Sequence, residues 1–169
     1  DGRSVNSVRK EMGTRLAKRC PCTDADLVAG MPDSGTLAAL GYAEESSIPF
    51  ELAIVRNRYV GRTFIQPTQR VRDLGVRIKL NPISSILSGK KAVIIDDSIV
   101  RGTTAQRVIS MIRDSGAAEV HLRVASPPVR FPCYYGIDTT SSEHLIAARM
   151  DISALKEDIG ADSLAYLTL

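Results

Sequence analysis

Lys90-Lys91-Ala92-Val93-Ile94-Ile95-Asp96-Asp97-Ser98-Ile99-Val100-Arg101-Gly102-Thr103-Thr104 is the stretch that decides how this chain folds. Residues 92–95 form a bare apolar run, the pattern of a parallel strand covered on both faces. A helix is predicted over 103–114, because Ala105, Val108, Ile109, Met111 and Ile112 line one side and Gly116 stands where a C-terminal cap belongs. Between strand and helix lie two carboxylates, Asp96 and Asp97, and a short loop. Carboxylates accept hydrogen bonds from vicinal hydroxyls and can help hold Mg²⁺. The loop from Ser98 through Arg101 to Thr104 runs into a helix N-terminus, where exposed N–H groups and the positive dipole end suit a phosphate. Gly102 permits close backbone approach, and Thr103 and Thr104 add hydroxyls. The plainer reading is that these residues only cap the helix. One acid with one threonine would fit that; two acids, a glycine and two threonines after a buried strand fit a phosphorylated sugar better.

Working outward, Val5, Val8, Met12 and Leu16 recur at helical spacing. A short strand over 26–31 stops at Pro32, a helix follows over 36–45, and residues 50–55 read as the next strand. Beyond residue 119 the pattern predicts a strand over 120–125 and a helix over 140–148 opened by the capping box Thr140-Ser141-Ser142-Glu143. A second helix over 151–159 and a last strand over 164–169 follow. Alternating strands and helices imply an α/β fold, a mostly parallel twisted sheet flanked by helices. Ligands of such sheets bind at the carboxyl ends of the strands, here the loops after Met31, Val55 and Ile95.

A length of 169 residues fits one domain, and 44% hydrophobic with 24% charged residues is ordinary for a globular protein. No apolar run is long enough to span a bilayer, so no membrane partner is expected. The chain starts at Asp1 with neither an initiator Met nor a signal peptide, which suggests an interior piece of a longer polypeptide. A net charge of +3 does not argue for nucleic acid, but its distribution is uneven. Arg56, Arg58, Arg62, Arg70, Arg72, Arg77 and Lys79 fall in one stretch whose only acid is Asp73. Gly61, Pro67 and Gly75 interrupt it, which suits a closing lid over an anion better than a recognition helix. The chain lacks Trp, so a base-stacking platform is poorly supported and no nucleic-acid partner is expected. Neither GxxxxGK[ST] nor GxGxxG occurs. Three cysteines, Cys20, Cys22 and Cys133, make no disulfide scaffold and fit a reducing compartment. The single residue between Cys20 and Cys22 is short of metal spacing. His121 on a strand and His144 on a capped helix have no partner motif.

The run from Ala92 to Thr104 resembles the phosphoribosyl-pyrophosphate (PRPP) motif of the type I phosphoribosyltransferases: four apolar residues, two acids, a short loop and Gly-Thr-Thr. Asn57-Arg58-Tyr59-Val60-Gly61-Arg62-Thr63-Phe64-Ile65-Gln66-Pro67 is similar to the flexible loop of one family within that fold, the amidophosphoribosyltransferases. Val100-Arg101 is also typical of it, and the likeness runs from Val5 to the end. The resemblance implies transfer of ammonia to PRPP with loss of pyrophosphate, giving 5-phosphoribosylamine in purine synthesis. It places the ribose hydroxyls on Asp96 and Asp97, the 5-phosphate on Ser98, Arg101, Gly102, Thr103 and Thr104, and pyrophosphate on the turn of Asp33, Ser34 and Gly35. It assigns Mg²⁺ to Ser34, Asp96 and Asp97. The catalytic lid would hold Arg58, Tyr59, Gly61 and Arg62, with Arg56 where many members carry Lys.

For the group of that family with an iron–sulfur cluster, the resemblance makes Cys133 one ligand of a [4Fe-4S] centre in the full-length protein only, because Cys20 and Cys22 do not match the other ligand positions. It also implies a domain order: residues 1–169 as the phosphoribosyltransferase domain, with an N-terminal glutaminase domain and the C-terminal end outside this sequence. The glutaminase would release ammonia from glutamine. Homotetramers, inhibition by purine nucleotides and a cytoplasmic or plastid location complete the expectation. Two other readings stay open: a PRPP-sensing regulator without catalysis, and a purine-base phosphoribosyltransferase, whose base-stacking aromatics could be Phe131 and Tyr134.

Overall fold

The computed structural model describes residues 2–57, 79–133 and 142–168. Helix α1 (Val5–Arg19) starts at Ser4, whose hydroxyl accepts the Ser7 N–H at 3.1 Å, and ends in a turn carrying Lys18 and Arg19. Both ends obey simple electrostatics: an oxygen meets the orphan N–H groups, and cations meet the orphan carbonyls. Strand β1 (Leu27–Gly30) and helix α2 (Thr36–Ser46) follow. Strands β2 (Ile54–Arg56) and β3 (Leu80–Pro82) pair antiparallel, and α3 (Ser84–Leu87) is a single turn. Then come β4 (Lys91–Asp96), α4 (Thr103–Asp114) and β5 (Glu119–Val124). A 3₁₀ turn (Ser142–His144), α5 (Ile146–Arg149), α6 (Ile152–Ile159) and β6 (Ser163–Tyr166) complete the described residues.

The main sheet has the order β1-β4-β5-β6, and every pairing in it is parallel. Period-two alternation sorts its side chains into two cores. Ala92 and Ile94 of β4 join Val120, Leu122 and Val124 of β5 and Tyr166 of β6 on one face, under Val108, Ile109 and Ile112 of α4 and Leu155 of α6. Val93 and Ile95 point the other way, under Leu16 of α1 and Ala39 and Tyr42 of α2. The result is a three-layer sandwich, the α/β fold that the apolar run at residues 92–95 predicts.

On the second face, α1 and α2 cross at very short range. A Cβ on Gly13 would stand 1.8 Å from the Ala38 carbonyl oxygen, and one on Gly41 would stand 1.9 Å from that of Lys10. Lys10–Glu44 and Lys18–Glu45 ion pairs decorate the crossing but are exposed, and such pairs contribute roughly 0–1 kcal/mol each. Backbone contact through glycine therefore governs the crossing. Arg123, buried beneath the end of α1, donates to the Cys20 carbonyl at 3.0 Å and to the Ser163 hydroxyl at 2.8 Å. Its charge is met by fixed oxygens, which is the condition for burying a guanidinium at all.

Two sequence expectations are corrected. Residues 50–55 do not make one strand. Val28 donates to Pro49 O at 2.8 Å and Glu51 donates to Val28 O at 2.9 Å, so Phe50 forms a single parallel bridge on the outer edge of β1. The chain then leaves that edge, and 54–56 pair with 80–82 instead. Hydropathy marks which side chains are buried, not which neighbour takes the backbone hydrogen bonds. Nor is 140–148 one helix. Thr140 and Ser141 lie outside the described residues, and Leu145 breaks the rest with an extended backbone at φ −88°, ψ 108°. Leu145 is fully buried there, and the next N–H, that of Ile146, goes to Val100 O at 2.9 Å.

Candidate functional site

The connection from β1 leads through α2 to the outer edge at Phe50, whereas that from β4 leads through α4 to β5 on the other side. Strand order thus reverses between β1 and β4, and the loops at their carboxyl ends diverge. Such a switch point leaves a crevice where open α/β sheets hold ligands. A cleft of about 380 Å³ lies here, with Ser34 and Met31 on one wall and Asp96, Asp97 and the run to Ala105 on the other. A larger depression of about 560 Å³ runs along α4 and the end of α6, beside Arg113 and Gly160. It contains none of the residues around Asp96, so the smaller cleft is the one that concentrates chemistry.

Each wall has a local cause. Met31 donates to Ile95 O at 2.8 Å, and Gly35 donates to Met31 O at 2.8 Å, which folds the turn back onto the end of β4. A Cβ at Gly35 would come within 2.3 Å of Ile95 O, so only glycine allows that approach. The Pro32–Asp33 peptide in this turn is cis. On the other wall Gly102 sits at φ 78°, a left-handed conformation that suits glycine, and its carbonyl accepts the Gln106 N–H at 2.9 Å to start α4. Among the described residues no side chain caps this helix. The acids and threonines are therefore not spent as caps, and the first N–H groups of α4 face the cleft unclaimed by a capping oxygen.

Asp97 N–H donates to Asp96 Oδ1 at 2.8 Å, and Ser98 Oγ donates to Asp97 Oδ1 at 3.1 Å. Burial first, and the neighbouring Asp97 charge second, push the Asp96 carboxyl up to about 7. A carboxyl raised from 3.8 binds a proton in the fold that the unfolded chain has already lost. Its contribution is thus most favourable at low pH and declines as pH rises towards 7. Asp96→Asn, which never ionises, should accordingly raise the melting temperature at pH 8 and give little gain at pH 4. Equal melting temperatures at pH 8 would show that Asp96 is not buried as charge.

Arg56, at the end of β2, pairs with Asp33 of the turn at 2.9 Å. Both groups are substantially exposed, so the pair is a weak tether rather than a strut. Asn57 N–H donates to Lys79 O at 2.7 Å, which closes the base of the basic segment, and neighbouring Leu80 lines the cleft. Arg58, Tyr59, Gly61 and Arg62 lie outside the described residues. The structure brings together Ser34, Asp96, Asp97, Ser98, Arg101, Gly102, Thr103 and Thr104 in one cleft. Asp33 and Gly35 belong to the same turn as Ser34 but do not line the cleft. Leu80 and the Arg56–Asp33 pair were invisible to motif reading, because one leucine in a basic stretch carries no signal.

No family model matches the chain. Over 167 residues it is 56% identical to the amidophosphoribosyltransferase of Synechococcus elongatus, covering 99% of this chain and 34% of that protein. The solved glutamine PRPP amidotransferase from Bacillus subtilis, complexed with ADP and GMP, superposes with a TM-score of 0.89 at 50% identity, over 99% of this chain and 37% of the other. The chain is a relative of the amidophosphoribosyltransferases. It spans about a third of the length of the curated relatives it matches. A purine phosphoribosyltransferase from Pyrococcus horikoshii, at 21% identity and a TM-score of 0.50 over 70% of this chain and 73% of its own, shares the fold. That fold is the type I phosphoribosyltransferase fold.

The three cysteines sit in different settings. Cys22 is buried in the core beside α1, where burial pushes its thiol up, and Cys20 Sγ donates to Tyr166 O at 3.8 Å. Cys133 is half-buried. Among the described residues no group of three or more His, Cys, Asp or Glu is placed to hold a metal, so these residues do not assemble a four-thiolate set. His121 Nδ1 lies 2.9 Å from Ser163 Oγ, while Nε2 is 3.0 Å from Glu119 but out of line for a hydrogen bond. It sits on the α1 side of the sheet, away from the cleft. Phe131 is exposed, and Tyr134 lies outside the described residues.

Proposed function

We propose that this chain binds PRPP at the switch-point cleft and transfers ammonia to it with loss of pyrophosphate. The observation that carries the reading is one cleft holding both the Asp96–Asp97 pair and the uncapped N-terminus of α4, with the glycine-closed turn at Ser34 opposite. Asp96 and Asp97 accept from the ribose hydroxyls, and the backbone N–H groups and hydroxyls of 98–104 hold the 5-phosphate. The turn holds pyrophosphate through the Ser34 N–H and hydroxyl, since the Gly35 N–H is already given to Met31 O. Ammonia then attacks the anomeric carbon from the face opposite pyrophosphate, forming a C–N bond as the C–O bond breaks. Pyrophosphate leaves with the bonding pair, and the new ammonium loses a proton to solvent, giving 5-phosphoribosylamine.

The donors Ser34, Asp96 and Asp97 are all oxygen atoms in one cleft, which fits Mg²⁺, and half-buried Asp96 has the Asp97 charge beside it. Magnesium bound there supplies positive charge to the departing pyrophosphate. Glutamine as the ammonia source and purine nucleotides as inhibitors belong to the same reading, on the strength of the relatives. A lid role for Arg58 and Arg62 belongs to the same reading and concerns residues outside the described ones.

The test is pyrophosphate release from PRPP and Mg²⁺ with ammonia, adenine or guanine offered in turn to the intact protein. Release with ammonia is expected; release with a base alone would replace this reading by a base phosphoribosyltransferase. Gly35→Ala should lower PRPP affinity at least tenfold by calorimetry, because the new methyl must push the turn off Ile95 O. Unchanged affinity would remove the turn from the site.

A further inference from the structure

Asp96, Val124 and Tyr166 stand in one row of the sheet, since Asp96 registers with Val124 and Val124 registers with Tyr166. They also share a face, because Ala92, Ile94, Val124 and Tyr166 belong to the same core. Val124 is small and fully covered, so the phenol of Tyr166 and the carboxyl of Asp96 flank it from either side. Two strand spacings separate their backbones by roughly 10 Å. The Tyr166 hydroxyl is buried, and among the described residues it has no hydrogen-bond partner. Few buried hydroxyls are left in that condition without a reason. Burial pushes the phenol up to about 12, with the Asp96 charge as the second cause, so the two groups feel each other. Nothing in the packing needs the oxygen: the ring is 4% exposed and sits among aliphatic neighbours where phenylalanine would fit.

We infer that Tyr166 is a positioning residue for the sugar-phosphate site, donating its hydroxyl hydrogen through one bridging water to the outer oxygen of Asp96. The inner oxygen, Oδ1, is already taken by the Asp97 N–H. A second donor on the far side fixes the plane of the carboxylate and thereby aims its remaining lone pair at the ligand. A bridging water makes nearly as good a hydrogen bond as a direct contact and needs polar partners such as these two. Tyr166 does not line the cleft, so it acts on the ligand only through Asp96.

This inference rests on the proposed PRPP site, and the test separates the two. PRPP binding in the presence of Mg²⁺ is measured by calorimetry on the intact protein and on Tyr166→Phe, alongside thermal melting without ligand. A positioning role predicts at least a fivefold loss of affinity with little change in melting temperature, since the ring and its packing are kept. The loss should shrink to less than twofold when Tyr166→Phe is made in the Asp96→Asn background. Equal affinity of parent and Tyr166→Phe overturns the inference and leaves the proposed site standing. A parallel fall in melting temperature and affinity also overturns it, as packing alone would do that. A parent that does not bind PRPP removes both.

Discussion

Replacing Asp96 and Asp97 together by Asn should reduce PRPP affinity at least a hundredfold, measured by calorimetry at saturating Mg²⁺, while the protein melts no earlier than its parent at pH 8. A hydrogen bond from a hydroxyl to a charged acceptor contributes roughly 1.5–3 kcal/mol, so removing two charged acceptors is expected to take away about 3–6 kcal/mol. A hundredfold change corresponds to about 2.7 kcal/mol, just under that range, so it is a lower bound on the expected loss. The same change removes the metal's two carboxylates, which moves the result in the same direction. Stability should move the opposite way. The folded state holds Asp96 with its carboxyl raised to about 7 by burial and by the charge of Asp97, so at pH 8 it carries an ionised group that would be better solvated in the unfolded chain. Loss of binding with retained or increased stability separates a ligand site from a structural cap. Unchanged affinity would reject the site outright.

How much of this was legible in the sequence depends on which physical signal each element left. The run at 92–95 and the periodicity of 105–112 survive intact as β4 and α4, because burial on both faces or on one stripe is written directly in hydropathy. Gly102 was legible only as a point of close backbone approach; its left-handed conformation and the uncapped start of α4 come from the structure. Partner choice was not legible. Residues 50–55 carry one hydropathy pattern but two sets of backbone bonds, with Val28 and then with 80–82. Leu145 looks like an ordinary helical apolar position, yet its burial beside the loop of Val100 breaks the helix. Tyr166 sat in a predicted strand with no motif around it. Only the register that sets it in the row of Asp96 makes its hydroxyl noticeable.

Gly41→Ala should lower the melting temperature by roughly 2–10 °C, although alanine is the better helix former. The two effects can be weighed. Exchanging Gly for Ala within a helix contributes about 0.5–1 kcal/mol of stability through backbone entropy. Against it, the new Cβ would lie 1.9 Å from the Lys10 carbonyl oxygen and 3.1 Å from the Thr14 nitrogen, both backbone atoms of α1 that cannot rotate away. The helices must separate, opening the packing of Leu16 and Tyr42, both fully buried between them and the sheet. Overpacking of this kind typically costs about 1–3 kcal/mol, and more where backbone must shift, so repulsion wins. Gly13→Ala should behave alike, with its Cβ 1.8 Å from Ala38 O. The double variant should cost less than the sum of the singles, because once α1 and α2 have moved apart the second methyl enters space the first has opened. The consequence reaches the site, since α2 begins immediately after Gly35 and its displacement drags the turn away from Ile95 O. Weaker PRPP binding should therefore accompany the lower melting temperature in both single variants. A melting temperature that rises on Gly41→Ala would mean that helix propensity, not contact between backbones, sets this crossing.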